Sequence, residues 1–213
     1  MELTATKPTI DIWFDYICPF SVMTRKVIDD VTARTPADVR WHPYELHENG
    51  VPPTGKTDYP EHVWENSVLP MAERLGVRFG PVPAIALPRT ALAMHGHRYA
   101  QEHGLAPAWD TRVFDAHFHG ARDISDPAEL TATAGDLGLD TEEFRARILS
   151  PQAALEHHHS QQHTRRALRI HTVPTVAIGS WRTEGVPQAA RLLDVIAALS
   201  TRRPTRARPP ATT

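Results

Sequence analysis

The sequence predicts an α/β protein in which a small sheet domain is interrupted by an inserted α-helical domain. Between residues 9 and 46, a strand, a helix and a second strand follow one another. The pattern is then helical to about residue 170, and strand patterning returns only at residues 175–186, before an amphipathic helix at 190–199. The order βαβ, helices, then ββα is typical of one α/β domain split by an insertion.

Each element of the βαβ start has its own signal. Residues 9–15 alternate and then run apolar with β-branched and aromatic side chains, which predicts a buried strand. Apolar side chains at every fourth position after Pro19 predict a helix, and proline is tolerated in a helix's first turn. Residues 39–46 alternate again, and Pro43 predicts an edge or bulged strand. A right-handed crossover would make the two strands parallel.

The central block combines helical spacing with residues that begin helices. Asp126 and Asp140 are predicted N-caps, because an aspartate at that position accepts hydrogen bonds from the first helical amides. A long, polar, histidine-rich helix is predicted from Pro151 to about Ile170. The other helices are predicted at 60–75, 89–103, 107–119, 127–137 and 141–148.

These elements predict a domain organisation for the whole chain. Residues 1–55 and 161–201 are predicted to form the two parts of the sheet domain, and residues 56–160 the inserted helical domain. Residues 202–213 hold four arginines, three prolines and no acidic residue, so they cannot form a core. We expect those last residues to be a disordered basic tail.

Composition excludes several classes of function. Lys+Arg 23 against Asp+Glu 25 gives a net charge of -2, so no basic field indicates a specific nucleic-acid partner. No apolar run approaches the ~18 residues that a membrane helix needs, and the N-terminus lacks a secretory-signal pattern. The single cysteine excludes an intramolecular disulfide. We therefore expect a cytoplasmic protein with no membrane partner.

The residue with the clearest chemical signal is Cys18, which lies where the first strand passes into a helix. Unpaired amides and the helix dipole at that position favour the thiolate, the nucleophilic form of the side chain. The competing interpretation is a small buried apolar residue. Asp15, three residues earlier, would cap the loop or shuttle a proton. Glu45 and His47 end the second strand near the same edge of the sheet and are further candidates.

Several segments together resemble a known family. Residues 12–21 (IWFDYICPFS), 41–46 (WHPYEL), 114–127 (FDAHFHGARDISDP) and 172–175 (TVPT) resemble the DsbA/FrnE-type branch of the thioredoxin superfamily. That branch also includes 2-hydroxychromene-2-carboxylate isomerases and kappa-class glutathione transferases. The resemblance, which spans about residues 8–200, implies a thioredoxin fold interrupted by a helical insertion.

The resemblance also implies the composition of the site. It places a cis-Pro174 opposite Cys18, with the backbone of Val173 available to an extended thiol or peptide. Pro19 and Phe20 would contribute to substrate binding together with Val173, Pro174 and Asp15. Independently of the resemblance, the tryptophans and phenylalanines are expected in the core, and Trp13, Phe20, Trp41 and Trp64 are also candidates to line an apolar pocket beside Cys18.

One departure from the family pattern decides the expected chemistry. The family pattern for oxidoreductases of this branch is Cys-Pro-x-Cys, whereas Ser21 stands here at the position of the second cysteine. Without a resolving thiol the protein cannot form an internal disulfide, so a monothiol cycle through mixed disulfides remains. Ser21 would then be catalytic together with Cys18, by donating a hydrogen bond to the thiolate.

Alternative functions remain open at this point. Isomerases and transferases of the branch have serine at the position of Cys18 and activate the thiolate of bound glutathione. The second hypothesis is therefore a thiol-dependent isomerase or transferase that acts on a small aromatic or polyketide-like molecule. Residues 185–188 lack the acidic residue expected to bind the amine of glutathione. Arg89 replaces an asparagine favoured in the family, and would either hold an anionic substrate or lie at the surface. A redox-inactive binding protein is the third hypothesis.

The expected partners and cofactors follow from these hypotheses. We expect no tightly bound cofactor. The expected substrate is a small molecule or a thiol, with a low-molecular-weight thiol such as glutathione as co-reactant. A homodimer is left open. His159 and His163 lie four residues apart, a spacing that can bind zinc. Their neighbours Glu156 and residues 160–162 are polar, however, which predicts a solvated helix surface. We therefore expect no metal site.

Overall fold

A four-stranded mixed sheet forms the base of the fold in the computed structural model, which describes residues 7–48, 61–80 and 88–200. The strand order is β2-β1-β3-β4, with β1 and β2 parallel and the other neighbours antiparallel. The strands are β1 (Thr9–Phe14), β2 (Asp38–Pro43), β3 (Thr175–Ile178) and β4 (Trp181–Glu184). The predicted parallel pair is confirmed, and Pro43 ends an edge strand, where its missing amide costs no ladder hydrogen bond.

Two helices cover one face of the sheet. They are α1 (Pro19–Thr32) and α9 (Ala189–Ser200). Alternation along β1 turns Ile10 and Ile12 to this face, where they are fully buried. The apolar stripe of α9 packs against the same core through Leu192 and Ile196, as its helical spacing predicts.

The remaining helices lie between β2 and β3 in the sequence. A continuous helical run consists of α2 (Glu61–Val63), a π-helical segment (Trp64–Val68) and α3 (Leu69–Leu75). It is followed by α4 (Ala91–Glu102), α5 (Ala106–Phe118), α6 (Pro127–Asp136), α7 (Thr141–Ile148) and α8 (Pro151–Arg166). The helix α8 ends four residues before the predicted Ile170.

The helical block has its own aromatic core, in which a glycine lets the helices α4 and α5 pack closely together. Trp109 on α5 is fully buried and donates from Nε1 to the carbonyl oxygen of Ala93 on α4 at 3.1 Å. A Cβ atom at Gly96 would lie 2.2 Å from the Trp109 ring, so only glycine lets the two helices pack this closely. The side chains of Asp126 and Asp140 accept hydrogen bonds from the first amides of α6 and α7, which confirms both predicted N-caps.

The predicted α/β architecture, with helices between βαβ and ββα units, is therefore confirmed. None of the helices in the described part of the chain has the length and apolar character that a membrane span requires. The predicted disordered tail, residues 202–213, lies outside the described residues. The domain boundaries near residues 55 and 160 stay predictions.

Candidate active site

Cys18 occupies the position that the sequence predicts, between the end of β1 and the first turn of α1. It is the N-cap of α1, in extended conformation, and Pro19 follows it as the first helical residue. Its backbone amide donates to the carbonyl oxygen of Asp15 at 3.2 Å, and its carbonyl oxygen accepts from the amide of Ser21 at 2.9 Å. This tight turn fixes Cβ of Cys18 at the positive end of the helix dipole.

The thiol lies against the loop that precedes β3. Sγ of Cys18 donates to the carbonyl oxygen of Val173 at 3.6 Å, a contact between residues 155 positions apart in the sequence. The Val173–Pro174 peptide bond is cis. Folding therefore brings Cys18, Val173 and Pro174 together, the three residues that the family resemblance places opposite one another.

The thiol is buried, and apolar side chains form part of its surroundings. Cys18 has no exposed surface, and it packs with Trp13, Tyr44, Ile170 and Val173 in a group that we call the Cys18 cluster. A substrate sulfur consequently reaches Sγ only after a local rearrangement exposes it.

The other predicted site residues differ in how close they lie to solvent. Pro19 and Pro174 are buried, whereas Phe20 is half-buried and packs against both the Cys18 cluster and the helical core. Ser21 is fully buried, and its Oγ accepts a long hydrogen bond of 3.4 Å from the amide of Asp15. Ser21 thus sits beneath the Cys18 turn, one helical turn along.

The predicted aromatic pocket is found only in part. Trp13 and Phe20 contact the Cys18 cluster, as expected. Trp41 and Trp64 instead pack in the helical core, because Trp41 faces Phe14, which points away from Trp13 across the strand.

Asp15 is buried in the loop before Cys18. Its Oδ2 accepts from the amide of Leu46 at 2.7 Å and its Oδ1 from the amide of Ile17 at 3.5 Å. Burial disfavours the carboxylate and raises the pKa of Asp15 from 3.8 to about 7, although these amide bonds oppose the rise. The residue therefore ties the Cys18 loop to the end of β2 and changes its charge near neutral pH.

A second buried carboxylate lies one residue before Leu46. Oε1 of Glu45 accepts from Nε of Arg89 at 2.7 Å and from the amide of Thr90 at 3.2 Å. Nε2 of His157 lies 3.3 Å from Oε2, and the side chain of Gln161 bonds both the amide and the carbonyl of Glu45. We call these five residues the Glu45 cluster.

The Glu45 cluster holds a full negative charge in the protein interior. Burial alone would raise the pKa of Glu45, but hydrogen bonds from His157 and Arg89 outweigh it and lower that pKa from 4.5 to about 2. Arg89 keeps 46% of its side chain exposed, while Glu45 keeps 1%. Arg89 is therefore a partner of Glu45 and lies partly at the surface. The other candidate at this strand end, His47, is half-buried.

Sequence reasoning missed His157. The polar composition of α8 predicts a solvated surface, which is correct for His159 and His163 but wrong for His157, of which 6% is exposed. The buried positions of this helix are Ala153, His157, Gln161 and Thr164, at intervals of four, four and three. That helical spacing of small and polar side chains was the available signal. Within the described ranges, no group of three or more potential ligands is arranged to hold a metal ion.

Comparisons with known proteins agree with this arrangement. Residues 9–197 match the DSBA-like thioredoxin domain. The uncharacterized protein YwbO of Bacillus subtilis is 30% identical over 172 residues, which cover 80% of this chain and 86% of that protein. A probable DsbA oxidoreductase from Streptomyces coelicolor is similar in structure, with a TM-score of 0.75 and 18% identity, covering 94% of this chain and 93% of that one.

Two further solved structures share the fold. A 2-hydroxychromene-2-carboxylate isomerase has a TM-score of 0.70 and 20% identity, covering 90% of this chain and 94% of its own. The cytosolic disulfide reductase DsbM from Pseudomonas aeruginosa, in a structure with GSH, has a TM-score of 0.60 and 20% identity, covering 90% of this chain and 95% of its own.

Proposed function

This chain belongs to the DSBA-like thioredoxin domain family, whose relatives include oxidoreductases and an isomerase, and we propose that it is a monothiol thiol-disulfide oxidoreductase acting through Cys18. The observation that carries the proposal is the position of Cys18. The residue caps α1 and its Sγ meets the carbonyl oxygen of Val173. The helix N-terminus favours the thiolate, which is the form that attacks a disulfide, whereas burial and the carbonyl acceptor favour the thiol. We propose that the helix N-terminus prevails once a substrate approaches Sγ and displaces this hydrogen bond.

The reaction follows from the single cysteine. The Cys18 thiolate attacks one sulfur of a disulfide R–S–S–R′, forms the mixed disulfide Cys18–S–S–R and releases R′–S⁻. A second thiolate, R″–S⁻, then attacks the R sulfur, releases R–S–S–R″ and restores the Cys18 thiolate. These two steps exchange R′ for R″ in the disulfide and leave Cys18 unchanged. A second R″–S⁻ then attacks the R″ sulfur of R–S–S–R″ and releases R–S⁻, so that complete reduction of the substrate oxidises two external thiols to R″–S–S–R″.

The co-reactant is proposed to be a low-molecular-weight thiol. No second cysteine exists in the chain to resolve the mixed disulfide. A small thiol needs a smaller opening than a protein thiol to reach a buried sulfur, and Phe20, which packs against the Cys18 cluster, is only half-buried. The proposal assigns the reaction to the cytoplasm, where reduced thiols are abundant. The structure of DsbM with GSH makes glutathione the first thiol to try.

The apolar surroundings of Cys18 favour one second candidate. Trp13, Tyr44 and Ile170 offer ring and aliphatic surface around the thiol. Such a wall suits a small aromatic molecule better than an extended peptide. In that case Cys18, or a thiol bound beside it, would add reversibly to the substrate and catalyse an isomerisation.

The rate of Cys18 alkylation against pH, followed by intact mass, tests the proposal. We expect a midpoint well below the ~8.5 of an ordinary cysteine, and formation of a mixed disulfide with oxidised glutathione that reduced glutathione reverses. The same titration in denaturant gives the reference midpoint for this chain. Cys18→Ala is the control and should show neither reaction.

The variant Ser21→Ala separates a catalytic Ser21 from a structural one. If its hydroxyl stabilises the thiolate, the alkylation midpoint rises while the unfolding temperature changes little. A wild-type midpoint at or above ~8.5, or no mixed disulfide in the folded protein, contradicts the oxidoreductase proposal. Turnover of aromatic substrates without mixed-disulfide formation would support the isomerase instead.

A further inference from the structure

A cavity of about 210 Å³ lies between the edge strand β2 and the helices α4 and α5. Trp41, Ala106 and Pro107 give it apolar walls. Its polar lining includes Arg40 and Gln101, which are exposed, and His97 and Asp110, whose side chains are almost fully buried, with exposures of 2% and 3%.

His97 and Asp110 form a hydrogen-bonded pair that a third residue supports. Oδ1 of Asp110 lies 2.8 Å from Nδ1 of His97 and accepts from the hydroxyl of Tyr16 at 2.5 Å. Burial, with the charge of Asp110, raises the pKa of Tyr16 well above 10, so the phenol keeps its proton and donates. Asp110 then acts as acceptor for both neighbours.

This arrangement fixes the tautomer of His97. Because Nδ1 faces a carboxylate, it carries the proton of the neutral ring, and the lone pair is on Nε2. His97 lines the cavity, and with Nδ1 engaged, Nε2 is the ring nitrogen left for a ligand. A histidine oriented by a carboxylate in this way is the arrangement of a general base.

The cavity is distinct from the Cys18 site. Side chains alternate along β1, and Trp13 points into the Cys18 cluster. The next residue, Phe14, points to the opposite face, where its ring contacts those of Trp41 and His97 at centroid distances of 5.5 and 5.8 Å. The two sites therefore lie on opposite faces of the sheet.

We propose that this cavity is a second binding site, which takes a single-ring phenol whose hydroxyl donates its proton to Nε2 of His97. An apolar cavity of roughly 150 Å³ is large enough for benzene, so a volume of about 210 Å³ suits one substituted ring. The indole of Trp41 provides the stacking surface. When the proton moves, the O–H bond breaks, the Nε2–H bond forms, and the imidazolium lies between the phenolate and the Asp110 carboxylate.

The experiment uses p-nitrophenol, because its visible absorption reports both binding and ionisation. We expect saturable binding to the full-length wild-type protein, with a dissociation constant on the order of 1 mM and an increased phenolate fraction at constant pH. p-Nitroanisole, which has no proton to donate, should bind about tenfold more weakly. Cys18→Ala should bind like the wild type, which keeps this result independent of the proposed oxidoreductase activity.

Two variants test the role of His97. His97→Asn keeps an N–H toward Asp110 but removes Nε2, and should lower affinity about tenfold and abolish the phenolate signal. The matched control is His95→Asn on the same helix, where Nδ1 of His95 bonds the carbonyl oxygen of Ile148 at 2.8 Å away from the cavity. It should leave binding unchanged.

A third variant covers the case in which His97→Asn does not fold. Gln101 lies on the exposed surface of α4 and lines the cavity, so Gln101→Trp blocks the space without disturbing the core. It should abolish binding. Absence of saturable binding to the wild type, equal affinity for p-nitroanisole, or unchanged binding in a folded His97→Asn or Gln101→Trp protein overturns the proposal.

Discussion

Two buried carboxylates at the same end of the sheet are held in opposite states. Asp15 belongs to the Cys18 loop, and its pKa is raised to about 7 because burial outweighs two amide hydrogen bonds. Glu45 lies two residues beyond β2, and its pKa is lowered to about 2 although its side chain is also shielded from solvent. Both side chains are 1% exposed or less.

The difference lies in the donors. The donors around Asp15 are neutral, namely the amides of Ile17 and Leu46 and the side chain of Thr90, and the nearby charge of Glu45 raises its pKa further. Glu45 receives hydrogen bonds from the Arg89 guanidinium, the His157 imidazole and an amide. A guanidinium stabilises a carboxylate more strongly than neutral donors do. The Glu45 cluster therefore keeps the carboxylate of Glu45 ionised, whereas Asp15, in the loop that carries Cys18, gains or loses a proton near neutral pH.

The largest effect is expected when the charge of the Glu45 cluster is removed. Glu45→Gln replaces the anionic acceptor of the hydrogen bonds from Arg89, Thr90 and His157 with a neutral amide, so the free energy of unfolding should fall by about 3 kcal/mol at pH 7. Chemical denaturation monitored by circular dichroism measures it. Glu48→Gln is the matched control. Since 20% of the Glu48 side chain is exposed, the loss there should be about 1 kcal/mol or less.

The pH dependence of that loss tests its electrostatic origin. Because the folded pKa of Glu45, about 2, is below its ordinary value of 4.5, the stabilisation is complete above pH 4.5 and disappears as the pH falls toward 2. The difference between wild type and Glu45→Gln should therefore shrink by about 1.4 kcal/mol per pH unit across that range. A difference that stays constant would indicate a packing defect rather than a lost charge.

The stability effect of Asp15→Asn is expected to depend on pH at higher values than that of Glu45→Gln, between about pH 4 and pH 7. The folded pKa of Asp15, about 7, is above its ordinary value of 3.8, so between these values the native state holds a proton that the unfolded state has released. This residue makes the wild-type free energy of unfolding fall by about 1.4 kcal/mol per pH unit as the pH rises through that range. The variant should lack this contribution.

Denaturation curves at pH 5 and pH 8 measure the effect. Relative to the wild type, Asp15→Asn should be more stable at pH 8 than at pH 5. Asp30→Asn serves as a control for a general charge effect, because Asp30 lies exposed on α1 away from the loop. An identical stability difference at both pH values would mean that Asp15 is ionised throughout and that the two carboxylates do not differ.

Local patterns were sufficient to predict most of the fold. Strand alternation in residues 9–15, helical spacing after Pro19 and the capping aspartates each concern neighbours within a few positions, and each is confirmed. The position of Cys18 at the start of a helix could be predicted for the same reason.

The polar contacts of the site could not be predicted in this way. Glu45 and His157 are 112 residues apart, and they meet only because α8 packs against the loop that follows β2. The histidine-rich composition of α8 concealed a buried stripe, because spacing shows which positions share a face but not whether that face is covered. The pairing of His97 with Asp110, across two helices, is hidden for the same reason.

The smallest effect is expected at the exposed edge of the Glu45 cluster. Arg89 bonds Glu45 through both Nε and Nη2, but nearly half of its side chain is in water. After Arg89→Gln, water can approach Oε1, so the free energy of unfolding should fall by only about 1 kcal/mol. His157→Gln, at a buried position of the same cluster, should cost more. If Arg89→Gln lowers the free energy of unfolding as much as Glu45→Gln does, the guanidinium rather than the buried imidazole keeps Glu45 ionised. If Arg89→Gln leaves stability unchanged but weakens binding of an anionic substrate, Arg89 binds the substrate rather than stabilising the Glu45 cluster.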